Sequence, residues 1–406
     1  MKWEKVKLGD VCEITSSKRI FYSEYVDDGV PFYRSKEIIE SDEGKIIENP
    51  LYISVDKYNE IKEKFGVPQT GDMLLTSVGT IGIPYIIKKN DCFYFKDGNL
   101  TWFRDFREDL NSEYLYYWIK SSEGTGILYN TTIGSSQKAL TISALKNIKV
   151  SLPPRSVQDK IVEVVSAYDD LIENNQKQIK LLEEAAQRLY KEWFVDLRFP
   201  GYENTKIVDG VPEGWNECTV ESFGTVITGK TPPTSNKEYY TNGKVPFVTI
   251  PDMHNVVYPL KTEKRLTIEG AQTQKNKYIP PNSVMISCIG TVGLVSIATE
   301  VCQTNQQINS IILNNEDDLY FFYESMLRMK DLLDGLGSNG ATMTNVNKSK
   351  LEKLIIISPS KDIVKQYNDV CKPLFESALN LSRKNVYLKN MREALLPKLM
   401  SGEVEV

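Results

Sequence analysis

Few side chains in this chain have the types and spacing that enzyme chemistry needs. The six cysteines are scattered without a C-x-x-C pair, and His254 is the one histidine in 406 residues. A zinc site of cysteine and histidine is therefore disfavoured, and a disulfide framework has no support at this chain length. His254 lacks a cysteine or serine partner in a recognisable frame, so we interpret it as a loop residue or at most a base or phosphate contact.

Short cofactor motifs are missing or out of context. The Pro-Pro pairs follow Leu152, Thr231 and Ile279, whereas an adenine methyltransferase needs Asn or Asp before the pair and an aromatic residue after it. Residues 335–340 satisfy G-x-G-x-x-G but follow a helix-like segment, while the dinucleotide fingerprint follows a strand. There is no Walker A motif, and Pro251-Asp252 alone supports an autonomous nuclease. No catalytic residue and no metal site are predicted.

Composition places the chain among ordinary globular proteins, with 41% hydrophobic and 25% charged residues. The net charge of −5 argues against a uniformly basic nucleic-acid coat but leaves room for a local basic face. The first residues lack the apolar core of a signal peptide, so a reduced, cytoplasmic protein is expected. Residues 278–299 are uncharged, but their Pro, Asn and Gly residues favour strand, turn and strand over a membrane span.

Internal repetition determines the architecture that we predict. Val30-Pro31-Phe32 recurs at residues 245–247, and the segment 71–82 recurs at 282–293. Short β-branched and aromatic runs fill the first part of each copy, followed by a helical piece and a final apolar strand. The sequence therefore predicts two mixed, mainly β domains of one fold, separated along the chain by helices.

Each copy is followed by a long helical segment. Residues 156–196 contain neither Pro nor Gly and place ten seam positions at alternating spacings of four and three, as in a coiled coil. A shift of 206 residues gives a second, weaker seam, in which Pro373 is expected to start or kink the helix. The first seam comprises Ile161, Val165, Tyr168, Ile172, Asn175, Ile179, Leu182, Ala186, Leu189 and Trp193. The second comprises Tyr367, Cys371, Leu374, Ala378, Leu381, Asn385, Leu388, Arg392, Leu395 and Leu399.

Opposite charge favours pairing of the two helices. Residues 156–196 carry nine acidic and five basic side chains, and residues 361–400 carry four acidic and eight basic ones. Asn175 and Asn385 would be buried polar residues that fix the register, or would lie at a solvated edge. The alternative is that each helix packs on its own lobe or on a partner. An antiparallel pair would place like modules about a pseudo-two-fold axis, which suits a DNA target with two half-sites.

Several motifs, in order along the chain, resemble those of the specificity subunit of type I restriction-modification systems. They are Leu152-Pro153-Pro154 with 157–162, 169–175, 189–194, the opening Val211-Pro212-Glu213-Gly214-Trp215, 229–232, and the ending 395–404. The first copy departs from the second, because Trp3 and Leu8-Gly9-Asp10 stand in place of the fuller opening. The resemblance implies two target-recognition domains that each read half of a bipartite DNA site, joined by helices that set the gap and dock modification subunits.

The predicted fold class is α+β, with two mainly β recognition domains separated by two long helices packed as an antiparallel coiled coil. The domains are residues 1–152 and 199–358, with helical spacers at 153–198 and 359–406. The resemblance further implies partners that are double-stranded DNA, two modification subunits and restriction subunits, and no membrane. S-adenosylmethionine, ATP and magnesium are expected on those partner subunits, with no cofactor in this chain.

Repeated polar and basic loops are the best candidates for DNA contact, because both lobes should use equivalent surfaces. In the first lobe we choose Lys18, Arg19, Arg34, Lys36, Thr76, Ser77, Thr80, Lys88, Ser135, Ser136, Gln137 and Lys138. In the second we choose Lys230, Thr231, Asn236, Lys237, Thr249, Ser287, Thr291, Gln306, Gln307, Ser338, Asn339, Thr342 and Thr344.

These choices each have a plainer alternative. The pairs Gly79/Gly82 and Gly290/Gly293 could let the backbone approach a phosphate, or could form hairpin turns between core strands. The lysines, arginines and glutamines could simply be solvated surface. Tyr190, Trp193 and Phe194 could dock a modification subunit or pack within this chain.

The leading hypothesis is a non-catalytic DNA sequence-specificity subunit in a complex with adenine-N6 methyltransferase and ATP-dependent endonuclease activities. The alternative is a two-lobed protein-interaction scaffold that never binds DNA, which the negative net charge favours.

Overall fold

The computed structural model describes residues 3–42, 44, 47, 49–134, 138–337 and 345–406. The chain divides into two compact units. Unit 1 comprises residues 1–173 and 387–406, and unit 2 comprises residues 174–386. Each unit therefore contains one lobe together with stretches of both long helices.

Unit 1 contains three sheets, with strand orders β2-β9-β6-β7, β3-β5-β4-β8 and β1-β10. Its strands are β1 (Glu4–Lys7), β2 (Glu13–Thr15), β3 (Tyr25–Val26), β4 (Val30–Tyr33), β5 (Leu51–Ile53), β6 (Met73–Thr76), β7 (Pro84–Ile86), β8 (Tyr94–Phe95), β9 (Leu100–Arg104) and β10 (Lys149–Leu152). Its helices are α1 (Leu8–Val11), α2 (Ser35–Asp42), α3 (Val55–Phe65), α4 (Ser112–Lys120), α5 (Ser122–Thr131) and α6 (Ile142–Asn147), followed by α7 (Arg155–Tyr190), which ends in unit 2.

Unit 2 contains the sheets β14-β20-β17-β18, β16-β15-β19 and β13-β21, and the short pair β11-β12. Its strands are β11 (Ile207–Val208), β12 (Val211–Pro212), β13 (Asn216–Thr219), β14 (Gly224–Thr228), β15 (Val245–Val248), β16 (Lys264–Leu266), β17 (Val284–Ser287), β18 (Val295–Ile297), β19 (Gln303–Thr304), β20 (Ile308–Leu313) and β21 (Ile355–Ser358). Its helices are α8 (Val220–Phe223), α9 (Ile250–Met253), α10 (Ile268–Gln272), α11 (Leu319–Arg328), α12 (Lys330–Gly337) and α13 (Lys348–Glu352), followed by α14 (Lys361–Ser401), which ends in unit 1.

The two lobes share one topology. The order β14-β20-β17-β18 repeats β2-β9-β6-β7, and β13-β21 repeats β1-β10. The three strands β16-β15-β19 repeat β5-β4-β8, and the parallel pairs β4·β8 and β15·β19 correspond. The prediction of two mixed, mainly β domains of one fold is confirmed. Strand register also defines which residues of the two lobes are equivalent.

The central strands form because short, uninterrupted apolar runs are buried on both faces. All four residues of β6 and of β17 are buried, and tight turns follow both strands. A helix then packs on each sheet, α4 in the first lobe and α11 in the second. At the start of α4, the Asn111 side chain accepts hydrogen bonds from the N–H groups of Glu113 and Tyr114. These rigid sheets hold the loops at their edges.

The long helices form where the sequence predicts them. Helix α7 begins at Arg155 and continues beyond Tyr190 as a π-helical turn through Val195. In unit 1, Asp169 of α7 forms an ion pair with Arg392 of α14, and Lys160 donates to the Val406 carbonyl oxygen at 3.2 Å. From Lys160 to Asp169 the residue numbers rise along α7, whereas those of their partners fall from Val406, just after α14, to Arg392. The two helices therefore run antiparallel in this unit.

The same antiparallel pairing holds within unit 2. The Asn175 amide donates to Asn385 Oδ1 at 2.7 Å, and Tyr367 Oη donates to the Ala186 carbonyl oxygen at 3.2 Å. All twenty seam positions are buried or half-buried. Pro373 lies inside α14, so the expectation that it could start the helix is wrong. The buried Tyr367, Cys371 and Phe375 on either side outweigh the one backbone hydrogen bond that the proline removes.

The uncharged segment 278–299 forms an antiparallel pair of strands, β17 and β18, joined by a turn. The prediction of strand, turn and strand is confirmed. In the part of the chain that the structure describes, no helix is both long enough and apolar enough to cross a bilayer.

Candidate nucleic-acid interface

Three segments of the first lobe meet at one end of the strands in the sheet β2-β9-β6-β7, where β2 and β6 end and β9 begins. The loop after β2 is fixed where the Lys18 N–H donates to Tyr94 Oη at 2.7 Å. Arg19 Nε then donates to Asp97 Oδ2 at 2.9 Å, in the turn between β8 and β9. The third segment, the turn after β6, joins them where the Ser77 N–H donates to the Asn99 carbonyl oxygen at 2.8 Å. We call these three segments the recognition edge of lobe 1.

The second lobe has an equivalent recognition edge, made of the loop after β14, the turn after β17 and the turn between β19 and β20. The Lys230 N–H donates to the Thr304 carbonyl oxygen at 3.0 Å, and Thr231 Oγ1 donates to Gln306 Oε1 at 2.6 Å. The Cys288 N–H donates to the Gln307 carbonyl oxygen at 2.7 Å. These contacts repeat the arrangement of the first lobe with different side chains.

Gly229 explains how closely the two segments of the second edge approach. A Cβ atom at this position would lie 2.2 Å from the Asn305 carbonyl oxygen and 2.2 Å from Thr304 Oγ1. A larger residue would therefore push the loop that carries Lys230 and Thr231 away from the turn that carries Gln306.

The turns after β6 and β17 are hairpin turns, and each is held by an equivalent side-chain hydrogen bond. Thr76 Oγ1 accepts a hydrogen bond from the Ile83 N–H at 2.9 Å, and Ser287 Oγ accepts one from the Leu294 N–H at 2.9 Å. The four glycines of these turns have φ values of 80° to 86°, in the left-handed region. Thr80 and Thr291 lie exposed at the tips.

The prediction that Thr76, Ser77 and Ser287 contact DNA is corrected. All three are buried, and the Ser77 hydroxyl lies 2.7 Å from Thr101 Oγ1. Their hydroxyl groups satisfy hydrogen bonds inside the fold, so they cannot reach a base edge while the turn is intact. They position the turn tips instead.

Arg34 and Thr249 occupy equivalent positions before α2 and α9, next to the recognition edges. Each backbone N–H bonds the carboxylate three residues later at 2.8 Å, on Glu37 and Asp252. Burial opposes ionisation of Glu37, but the hydrogen bonds from Arg34 outweigh it and hold the pKa of Glu37 below its ordinary value. The Arg34 charge is thereby largely neutralised, which weakens it as a phosphate contact.

Other predicted contact residues lie on separate segments. Lys36 is exposed on α2, and Lys88 lies on a loop closed by its own N–H to Asp91 Oδ2 at 2.8 Å. Lys138 lies over the ring of Tyr129, 3.5 Å from its centroid. The Asn236 side chain accepts from the Glu238 N–H, and Lys237 beside it is exposed. Outside the described residues lie Ser135, Ser136, Gln137, Ser338, Asn339, Thr342 and Thr344.

Tyr190, Trp193 and Phe194 pack within unit 2. The Tyr190 ring stacks on Phe321 with centroids 5.9 Å apart, and its hydroxyl lies 2.9 Å from Ser325 Oγ. Burial raises the pKa of Tyr190 to about 12. The rings of Trp193 and Phe194 both contact Tyr367, at 5.8 and 5.0 Å. These contacts agree with the alternative that the three residues pack within this chain. That they also dock a modification subunit stays a prediction.

Sequence reasoning missed Asp97 and Asn305, which orient the turns of the two edges. Asp97 binds Arg19, and Asn305 Nδ2 donates to Gln307 Oε1 at 2.9 Å. The dipeptide Asp97-Gly98 is a turn signal that could have located the first of these. No cluster of three or more His, Cys, Asp or Glu side chains suited to a metal ion occurs among the described residues.

Two lobes of one topology, each with a polar edge and each packed with antiparallel stretches of the same two helices, define a duplicated recognition protein. The family model for the type I restriction modification DNA specificity domain matches residues 1–184 and 212–386. The chain therefore belongs to the type I restriction-modification DNA specificity family.

Individual relatives agree with this assignment along almost the whole chain. The chain is 30% identical to the type I restriction enzyme HindI specificity subunit of Haemophilus influenzae, over 99% of both proteins. It is 28% identical to the MjaIX specificity subunit of Methanocaldococcus jannaschii, over 100% of this chain and 94% of that protein. The crystal structure of a type I S subunit from M. genitalium aligns with a TM-score of 0.60 at 14% identity, covering 98% of this chain and 96% of that one. The last comparison supports the fold alone.

Proposed function

We propose that this chain is the non-catalytic subunit that selects the DNA sequence for a type I restriction-modification enzyme. Each lobe reads one half of a bipartite site. The observation that carries this proposal is that the recognition edge occurs twice, on equivalent segments of two lobes with one topology. Both edges expose a lysine, Lys18 or Lys230, for phosphate contact beside side chains that can reach base edges.

The helices supply surfaces for the partner subunits. In unit 1, Leu171, Tyr387 and Met391 are exposed apolar side chains on α7 and α14. In unit 2, Leu181 is 65% exposed beside Ala185 and Leu189 on α7, where the helix surface forms a shallow groove. Large exposed apolar residues on a helix are typical of protein contacts. We propose that two modification subunits bind these surfaces and bring S-adenosylmethionine, while restriction subunits bring ATP and magnesium chemistry.

The test is to co-express the chain with its modification subunit and to map methylated adenines by single-molecule sequencing. We expect one bipartite motif, which disappears when this gene is deleted. A double variant, Lys18→Glu with Lys230→Glu, should reduce methylation because it removes a phosphate contact from each lobe. The control is Lys149→Glu with Lys275→Glu, which makes the same charge change at one exposed lysine of each unit, outside the segments that form the recognition edges.

The scaffold alternative predicts a different result from the same experiment. If the chain only recruits proteins, the pattern of methylated adenines stays unchanged when the gene is deleted. That outcome would overturn the DNA-specificity proposal.

A further inference from the structure

The two recognition edges use equivalent positions but different chemistry. Ile14 pairs with Phe103 in the first lobe, and Val226 pairs with Ile311 at the same place in the second. Counting from these pairs, Lys18 corresponds to Lys230 and Arg19 to Thr231. The backbone arrangement and the lysine are the same in both lobes. The residue after the lysine and its partner differ: Arg19 and Asp97 form an ion pair, whereas Thr231 and Gln306 join a hydroxyl to an amide.

Asp97 orients the Arg19 guanidinium but uses only one of its nitrogens. Its side chain is 68% exposed, whereas that of Asp97 is only 19% exposed, so the carboxylate is the fixed member of the pair. Asp97 accepts from Nε, and no described residue bonds either terminal nitrogen. An arginine held through Nε presents its two terminal nitrogens side by side, which is the geometry that matches O6 and N7 of guanine.

Gln306 is oriented in a comparable way in the second lobe. It is exposed, and its Oε1 accepts from the Thr231 hydroxyl at 2.6 Å. Among the described residues no other group bonds this amide, so the second lone pair of Oε1 and both N–H donors can meet a ligand. A glutamine amide matches N6 and N7 of adenine with one acceptor and one donor.

Orientation by a neighbouring side chain separates these residues from ordinary phosphate contacts. A phosphate needs only a positive charge. Lys18 supplies it one residue before Arg19, and Lys230 supplies it one residue before Thr231, the partner of Gln306. Reading a base edge requires a fixed direction, and immobilising a long side chain at the interface costs about 0.5–1.5 kcal/mol when it is not held in advance. The partners Asp97 and Thr231 reduce that cost.

We infer that Arg19, held by Asp97, reads a guanine in one half-site, and that Gln306, held by Thr231, reads an adenine in the other. This inference rests on the proposed function. The pair Arg19 with Asp97 and the pair Thr231 with Gln306 occupy equivalent places in the two lobes, so the two half-sites are expected to differ at the position that these pairs contact.

The test uses the co-expressed complex and the sequenced pattern of methylated adenines. Arg19→Ala should make one guanine position degenerate and lower methylation of the original site roughly 10- to 100-fold, with the other half-site unchanged. Arg19→Lys keeps the charge but loses the paired donors, so it should relax the same position. Gln306→Ala should relax one adenine position in the opposite half-site.

Matched controls separate base reading from general damage. Arg107 is also an exposed arginine paired with an aspartate, Asp109, and Gln272 is an exposed glutamine of unit 2. Arg107→Ala and Gln272→Ala should leave the motif unchanged. Equal thermal unfolding midpoints would show that Arg19→Ala and Gln306→Ala are folded.

Each failure has its own signature. If the wild-type complex methylates a bipartite motif that Arg19→Ala and Gln306→Ala leave intact, the inference about these residues is overturned and the proposed function stands. If the controls relax the motif as much as the test variants, the inference is also overturned. If the wild-type complex has no bipartite motif, the proposed function fails and this inference fails with it.

Discussion

At the scale of single residues, one buried and one half-buried carboxyl group in unit 2 link stability to pH. Glu324 on α11 is 1% exposed, and burial with the nearby Glu183 raises its pKa to about 8 against the opposing effect of Arg328. Burial also raises the pKa of Glu183, on α7, to about 7. Both groups are therefore largely protonated in the folded protein under conditions where the unfolded chain has released the protons.

We expect the stability of unit 2 to fall as the pH rises from about 4.5 to 8. The folded state holds more protons than the unfolded state over this range, which costs up to about 1.4 kcal/mol per pH unit for each carboxyl group. Glu324→Gln should flatten the dependence, because a glutamine carries no charge to bury. The measurement is the thermal unfolding midpoint by tryptophan fluorescence between pH 5 and 9.

Glu221→Gln is the control, because Glu221 is an exposed glutamate of the same unit. It should leave the slope of the wild type unchanged. An equally steep slope in Glu324→Gln would show that the buried carboxyl group of α11 is not the source of the effect.

At the scale of elements, the paired asparagines of α7 and α14 set the register of the helices in unit 2. Asn175 and Asn385 are both buried and share a hydrogen bond of 2.7 Å. Asn175→Leu alone should cost about 1–3 kcal/mol of unfolding free energy, because Asn385 loses a buried hydrogen-bond partner. The double variant with Asn385→Leu should recover this loss, since two leucines bury without polar groups. Chemical denaturation of the wild type, the two single variants Asn175→Leu and Asn385→Leu, and the double variant measures these unfolding free energies.

Specificity of register is the property that the double variant should lose. Hydrogen exchange of α7 should be faster or more heterogeneous than in the wild type, even where the unfolding free energy is equal. A single variant as stable as the wild type would contradict the argument that the asparagine pair is a satisfied buried contact.

Helix periodicity and repetition were sufficient to predict these two helices, because apolar residues at spacings of four and three mark one face of a long helix. The spacing alone left open what that face packs against. The hydroxyl groups of Thr76, Ser77 and Ser287 were not predictable in the same way. A short, fully apolar strand has no alternation of apolar and polar residues. Its sequence therefore does not show whether a polar residue at its end points to solvent or closes a turn. The pairing of Arg19 with Asp97 joins residues 78 positions apart, and only the fold brings them together.

At the scale of the whole molecule, the two repeats differ in the residues through which α7 and α14 contact each other. A shift of 206 residues maps Asp169 onto Phe375 and Arg392 onto Ala186. In unit 1, Tyr117 Oη donates to Asp169 at 2.8 Å, and Asp169 forms an ion pair with Arg392. In unit 2, the equivalent Tyr323 packs edge-on against Phe375, with centroids 5.6 Å apart. One repeat uses an ion pair where the other uses an aromatic contact.

This asymmetry should make the two halves of the chain prefer each other over themselves. In a homodimer of residues 1–198, each Asp169 would face Ala186, the equivalent of Arg392, and would lose its ion-pair partner. The acidic seam segment of α7 would also face another acidic one. We therefore expect separately expressed 1–198 and 199–406 to form a 1:1 complex, measured by light scattering, with a weaker 1–198 homodimer.

Salt and one substitution test the cause of that preference. Raising the ionic strength from 0.1 to 1 M should narrow the gap between the two affinities, because it screens the charges on α7 and α14. Asp169→Phe in the fragment 1–198 should tighten its homodimer, since it replaces an unpaired carboxylate with the apolar ring that unit 2 has at this position, Phe375, in the same hydrophobic cluster as Ala186. If unmodified 1–198 pairs with itself as tightly as with 199–406, the charge and ion-pair differences between the repeats do not select the partner helix.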